Sequence, residues 1–301
     1  MSAEVTLSPS EPVRAALSDG RPIVALETSV LAQGLPPPRN IEVAAAMSAA
    51  VRGGGAEPAW IFLDRGRIRL GASEEDLLRL CTDRSAVKVA RRDLPIVLAG
   101  GALGATTVSA TLWSAARAGI QIAVTGGIGG VHPGSGDVSA DLFELARTPG
   151  LLVCSGPKSI VDPTATLERL EELGVVVVGY RCERLPFFVV READIPLEHQ
   201  AQSPAELAAM EAARSRLGLE STLLVCNPVP EDRAMPLEEV EAALRACTER
   251  AKREGISGKA ATPYLLSCLA ERTAGATLGA NVALLASNAG LAAEVAAALV
   301  A

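Results

Sequence analysis

The groups that could do chemistry concentrate in two stretches of the chain. The apolar run Ile122 to Val124 ends at Thr125, and a glycine-rich loop after it carries His132, Asp137, Ser139 and Asp141. A second apolar run, Leu151 to Cys154, ends in Ser155-Gly156-Pro157-Lys158. Upstream, Ile23 to Leu26 reads as a buried strand that ends at Glu27. A carboxyl there is poorly solvated, which raises its pKa and suits a proton donor; a cap or an ion pair would use the same residue. The chain has four lysines against 24 arginines, and Lys88 and Lys158 lie beside strand ends. An amine there can form a Schiff base, which arginine cannot.

Asp137, Ser139 and Asp141 alternate ahead of a helix over 142–147. Ordinary capping is one reading. The other is an oxygen-rich site at a positive helix end, with Asp137 on a hard divalent ion and Ser139 and Asp141 on a phosphate or hydroxyls. The cluster Thr125 to Gly130 follows a strand but is neither GxGxxG nor a Walker loop. It fits an anion cradle or a tight, closely packed turn. His132 suits a site group or a loop hydrogen bond, while His199 belongs on the surface. Asn281 and Asn288, seven residues apart, share one face of an apolar helix, so each asks for a polar partner.

Stepping outward, strands and helices alternate. Strands are expected at 23–26, 59–63, 68–70, 87–90, 94–99, 122–124, 151–154, 175–178 and 223–226, with a hairpin turn at Asp64-Arg65-Gly66. Residues 1–20 read as a loose arm with a short helix. Asn40 reads as the cap of a helix from Ile41 to about Val51, and Ser73 with Asp76 as a capping box. Pro186 to Val190 is a strand or a pocket wall. Helices are expected at about 163–173, 204–216, 237–253, 262–272 and 281–299. The pattern predicts one α/β domain over 1–301, an α/β/α sandwich on a largely parallel or mixed sheet.

With 301 residues, 49% hydrophobic, the chain can bury a large core. A net charge of −7 and no basic block argue against nucleic acid as the main partner. No apolar run reaches the ~18 residues of a membrane span, and the N-terminus lacks a basic start with an apolar core, so a cytoplasmic protein is expected. The six cysteines lack metal spacing and are expected as buried free thiols.

Taken together, ALETSVLAQG at 25–34, KVARRDLP at 88–95, GATTVSAT at 104–111, TGGIGGVHPG at 125–134, DVSADL at 137–142, GPKSIVD at 156–162, NPVPE at 227–231 and ATPYLL at 261–266 resemble the pseudouridine-5′-phosphate glycosidase family, also called indigoidine synthase A-like. The likeness runs from about Pro22 to Glu294. It implies an α/β/α fold, a homotrimer and a divalent metal, commonly manganese. It implies Glu27 as proton donor and Lys158 as the nucleophile that forms an imine with C1′ of ribose. It also implies Lys88 and Val108 as substrate contacts, Asp137 as metal ligand, and Ser139, Ala140 and Asp141 as the sugar-phosphate segment. Thr125, His132 and Asn281 line that site.

The implied chemistry suits these residue types. A C–C glycosidic bond has no heteroatom leaving group, so a carboxylate pair alone does not suffice. An acid opens the ribose, lysine adds at C1′, the base leaves, and water frees ribose 5-phosphate. Gln33 stands where members of the family usually carry His, the loop from His132 to Asp137 is about three residues short, and Gly100 to Leu103 lacks the usual polar residues. These departures leave open uracil as the base or, as in a branch that runs the reaction in reverse, an aromatic polyketide. A non-catalytic sugar-phosphate binder is the alternative of another class.

Overall fold

The computed structural model describes residues 7–133, 136–256 and 261–301. Its strands are β1 (Leu7–Pro9), β2 (Ile23–Glu27), β3 (Glu57–Asp64), β4 (Arg67–Leu70), β5 (Val87–Val89), β6 (Gly104–Thr106), β7 (Ile122–Val124), β8 (Gly150–Cys154), β9 (Val177–Tyr180), β10 (His199–Ala201) and β11 (Thr222–Cys226). The helices are α1 (Glu11–Ser18), α2 (Arg39–Gly53), α3 (Glu74–Thr82), α4 (Leu94–Gly100), α5 (Val108–Arg117), α6 (Ala140–Arg147), α7 (Pro163–Glu172), α8 (Pro204–Arg216), α9 (Leu237–Arg253), α10 (Ala261–Arg272) and α11 (Ala276–Val300).

All the strands join one sheet, ordered β1-β4-β3-β2-β7-β8-β11-β9-β10, with β5 and β6 attached through β3. β3 runs antiparallel to β4 and β6, and the other pairs are parallel. The period-two alternation of β2, β7, β8 and β11 feeds two cores. Val24, Leu26, Val124 and Val153 face α2, α8 and α11 through Met47, Leu207 and Leu284. Ala25, Ala123, Leu152 and Cys226 face α1, α5, α6 and α7 through Val13, Leu112, Leu145 and Leu170. Helices therefore cover both faces, as the alternating pattern predicts.

The hairpin at Asp64 and the Ser73–Asp76 capping box form as expected. Several local expectations change. Residues 94–100 form helix α4 and not a strand. A short apolar run cannot reveal its own period. Pro95 suits a first helical turn, Gly101 ends the helix at φ +66°, and burial falls on one side, with Leu94 covered and Ile96 74% exposed. Asn40 does not cap α2. It lies inside the helix, and its amide donates to the carbonyls of Leu31 and Cys81, both at 2.9 Å. The arm adds strand β1 beside β4, and β6 and β10 were not expected; each has three residues, too few for a periodic signal.

Two whole-chain expectations also change. Residues 276–300 form one helix long and apolar enough, by length and composition, to cross a membrane. Interspersed Thr, Asn, Ser and Gly hid its mean hydropathy. It packs against α2, α8 and the sheet, with Leu284, Leu285, Ala289 and Ala292 fully buried, so core packing accounts for its apolar character. Cysteines 247 and 268 are not free: they form a disulfide between α9 and α10. Their spacing carries no signal because antiparallel helices bring them together. Cys81, Cys154, Cys182 and Cys226 are free and buried, as expected.

The bridge closes a loop of 21 residues. A cross-link of that span stabilises by roughly 3 kcal/mol in the chain-entropy account. Replacing both cysteines with serine is expected to lower the melting temperature by roughly 5 °C under non-reducing conditions. Calorimetry of the oxidised protein against the double variant checks this; equal melting temperatures would contradict the bridge.

Candidate active site

Strands β2, β7, β8 and β11 lie side by side and parallel, so their C-terminal ends open on one edge, where α/β sheets bind ligands. Glu27 ends β2 and is buried. The Thr125 hydroxyl, just past β7, donates to Glu27 Oε1 at 2.6 Å, and the Ser29 hydroxyl donates to Oε2 at 3.2 Å. Burial pushes the Glu27 carboxyl above the usual carboxylate range, while the Lys158 ammonium and the Thr125 hydrogen bond pull it down. The raised direction is the one a proton donor needs.

Lys158 follows β8 in a loop stitched to the neighbouring glycine cluster. Ile128 N–H donates to Gly156 O at 3.1 Å, and Lys158 N–H donates to Ile128 O at 2.9 Å. Gly156 has φ +78°, and a Cβ there would meet the Pro186 carbonyl oxygen at 1.9 Å. Only glycine fits both demands, and its turn aims Lys158 back over the sheet.

Glu27 and Lys158 stand where two cavities meet. A polar cleft of about 310 Å³ is lined by both, with Ser29, Lys88, Arg92, Thr107, His132, Asp137, Ser139, Ala140 and Asp141. A narrower cavity of about 40 Å³ shares Glu27, Ser29, Lys88 and Lys158 but is walled by Gln33, Gly126, Gly127, Phe188, Leu266 and Asn281. Residues 186–190 thus form a tight turn and not a strand, and Phe188 from this stretch walls the cavity. Phe188 N–H donates to Ser155 O at 2.7 Å, which holds the ring over the smaller cavity.

Not every expected residue faces the cleft with its side chain. Val108 is in the core at the start of α5. Only its backbone adjoins Thr107, which does line the cleft. Thr125 acts from beneath Glu27. Asp141 is buried, and its carboxylate accepts from Gly129 N–H at 3.0 Å and Ser109 N–H at 3.2 Å. It therefore ties the glycine loop to α5 and α6, while the Ser139 hydroxyl caps α6 by accepting from Asp141 N–H at 3.2 Å. The glycine cluster is a closely packed turn: a Cβ on Gly129 would lie 2.3 Å from Ser139 Oγ.

Asn281 and Asn288 divide their work. Asn281 lines the smaller cavity. Asn288 is buried and donates to Thr125 O at 3.0 Å and Ser155 Oγ at 3.1 Å while accepting from Asn227 at 2.9 Å. It clamps the ends of β7, β8 and β11 in register. Buried Glu144 on α6 pairs with Arg91 at 2.8 Å, tying the segment after Lys88 to the helix that starts at the cleft. Sequence reasoning did not single out Ser29, Arg92 or Thr107, although all three sit inside the quoted motifs; Phe188 falls in the stretch read as a strand or a pocket wall.

His132 is half-buried, and its backbone N–H donates to Asp137 O at 2.9 Å. Burial lowers the His132 pKa; Asp137 opposes this, and Lys158 and Lys88 add to it. The imidazole is therefore biased towards its neutral form. Residues 134 and 135 of the shortened loop lie outside the described residues. Among the described residues no cluster of three metal-ligating side chains occurs. Asp137 is exposed on the cleft rim. A single carboxylate fits a hydrated hard ion that keeps most of its waters, and not a dehydrated cage.

The sheet edge, with an acid and an amine at the junction of a polar and a mostly apolar cavity, defines an α/β protein built to act on a small two-part molecule. A profile of the family described as "Indigoidine synthase A like protein" matches residues 12–298. The chain belongs to that family. It is 47% identical over 290 residues to the pseudouridine-5′-phosphate glycosidase of Methylobacterium nodulans, covering 95% of this chain and 86% of that one. It is 49% identical over 286 residues to the pseudouridine-5′-phosphate glycosidase of Gemmatimonas aurantiaca, covering 95% and 94%. Among solved structures, the prealnumycin C-glycosynthase AlnA in complex with ribulose 5-phosphate matches at a TM-score of 0.90 and 38% identity, covering 98% of this chain and 97% of that one. An indigoidine synthase A-like protein from Thermotoga maritima matches at a TM-score of 0.91 and 39% identity, covering 99% and 97%.

Proposed function

We propose that this chain is an enzyme that reversibly cleaves the C–C glycosidic bond of pseudouridine 5′-phosphate, giving uracil and ribose 5-phosphate through a lysine imine. The observation that carries the reading is the placement of Glu27 and Lys158 together where the two cavities meet. Curated relatives at 47–49% identity bear the name of this activity.

In this reading the sugar phosphate lies in the polar cleft and the base in the smaller cavity. Lys88, the half-buried His132, Ser139 and the backbone at Ala140 and Val108 hold the phosphate and hydroxyls, supported from below by Asp141. Glu27, whose carboxyl burial biases towards its protonated form, gives its proton to the ring oxygen as the ribose opens. The Lys158 amine, once its proton is lost, bonds to C1′ as the bond from C1′ to the ring oxygen breaks, and the proton its nitrogen then sheds passes to the Glu27 carboxylate. The bond from C1′ to the base breaks as the base carbon takes that proton from Glu27, leaving the protonated imine. Water adds to the imine, the amine departs, and ribose 5-phosphate is released. Thr125 and Ser29 orient Glu27 throughout. Asp137 would hold a hydrated divalent ion, manganese by the family resemblance, which would supply positive charge near the sugar phosphate.

The proposal includes the homotrimer that the resemblance implies, and a cytoplasmic setting, where charged sugar phosphates are retained. The likeness to AlnA supports a second reading, C-ribosylation of an aromatic acceptor. Incubation with pseudouridine 5′-phosphate and a divalent metal is expected to release uracil and ribose 5-phosphate in equal amounts by chromatography. Folded protein that releases neither would sink the first reading, and ribosylation of an aromatic acceptor by that same protein would establish the second.

A further inference from the structure

The smaller cavity contains two unsatisfied acceptors. Gln33 Oε1 and Asn281 Oδ1 are both shielded from solvent and have no hydrogen-bond partner. Both residues line the cavity that also exposes Glu27 and Lys158. The Gln33 amide cannot turn round: its Nε2 donates to Ala86 O at 2.9 Å, and a flip would set oxygen against oxygen. The fixed orientation leaves the carbonyl oxygen without a donor in the wall of that cavity. A buried acceptor without a donor is a net cost to the folded state, and a ligand N–H would recover it. Gly126 lies beside the second oxygen, since a Cβ there would come 3.4 Å from Asn281 Oδ1.

We propose that Gln33 is a specificity-determining residue that accepts a hydrogen bond from a ring N–H of the leaving base, with Asn281 Oδ1 as the companion acceptor, so that the cavity selects a lactam-type heterocycle and disfavours a carbocyclic aromatic. The inference rests on the functional reading above and deepens it. Two acceptors suit a ring that presents two N–H donors. A carbocyclic ring would leave both oxygens buried and unpaired, and sites that hydrogen-bond a substrate N–H reject analogues lacking it far more strongly than apolar pockets reject a change in size. Phe188 lines the same cavity, so its ring can stack on a flat heterocycle.

Gln33→Met keeps the length and volume of the side chain and removes the acceptor. The test runs the reaction in the synthetic direction, from ribose 5-phosphate and uracil, for wild type and variant. The KM for uracil is expected to rise roughly tenfold or more, and the KM for ribose 5-phosphate to stay within about twofold because the sugar phosphate does not reach Gln33. Borohydride trapping of ribose 5-phosphate without uracil serves as the control on the sugar side. An unchanged KM for uracil would overturn the proposal. So would an equal loss of trapping and of uracil affinity, because Gln33 would then only hold its loop to Ala86. If wild type makes no pseudouridine 5′-phosphate and cleaves none, the functional reading itself has failed, and this inference falls with it.

Discussion

Lys158→Arg is expected to abolish the reaction and the covalent adduct together. Incubated with ribose 5-phosphate and borohydride, the native protein should gain one pentose phosphate in mass, on the peptide carrying Lys158. The arginine variant should gain nothing. Arginine keeps the positive charge beside Glu27 but stays protonated and cannot form an imine. The charge matters here because Lys158 acts electrostatically on Glu27, so a neutral replacement would disturb the acid as well. Losing the nucleophile is expected to lower kcat at least about 10⁴-fold. An adduct that persists in the variant, or maps to Lys88, would move the nucleophile elsewhere.

Glu27→Gln carries the second largest effect. The amide retains the shape and can still accept from Thr125 or Ser29, but it has no proton to give. Loss of a positioned general acid is expected to lower kcat about 10²–10⁴-fold. The pH dependence distinguishes this from simple misfolding. The native enzyme should lose activity as pH rises through the raised Glu27 pKa, because the ionised carboxylate cannot donate; the residual activity of the variant should lack that limb. Stability should run the opposite way to activity. Between the ordinary glutamate pKa and the raised one, the folded state binds more protons than the unfolded state, so native stability declines as pH rises across that window. At neutral pH the variant no longer buries an ionisable group and should melt higher than the native protein, whereas below the ordinary glutamate range that advantage should vanish. Thermal melts of both proteins across the acid-to-neutral range check this, and a variant that melts lower at neutral pH would contradict the account.

The two effects have a common origin. The site keeps an acid in a place where its charge is disfavoured, which costs stability and supports function. Asn288 offsets part of that cost from outside the cleft. Its amide holds the ends of β7 and β8, and through Asn227 the end of β11, so Thr125 and Lys158 reach Glu27 from a rigid edge.

Much of this could be read along the chain. Burial on both faces of Ile23 to Leu26, Ile122 to Val124 and Leu151 to Cys154 gave the parallel core, because parallel strands covered by helices are apolar throughout. The residues just past those runs gave Glu27, Thr125 and Lys158, because the polar end of a buried strand has few roles besides a site or a cap. Other features depend on which segments meet in space. The Cys247–Cys268 bridge and the division of labour between Asn281 and Asn288 join positions whose local patterns are silent, and only the packed chain shows that Phe188 walls the cavity from a turn rather than a strand. Asp141 reads in the sequence as a ligand group or a cap; the fold adds that its carboxylate, at the cleft, accepts from Gly129 and Ser109, contacts fixed by how α5 and α6 dock. Residues 94–100 were apolar enough for a strand, and only one-sided burial made them a helix. Local sequence encodes what a residue can bond to and the period of its neighbours. Partners far away in sequence, and the space left between them, are set when the helices close over the sheet.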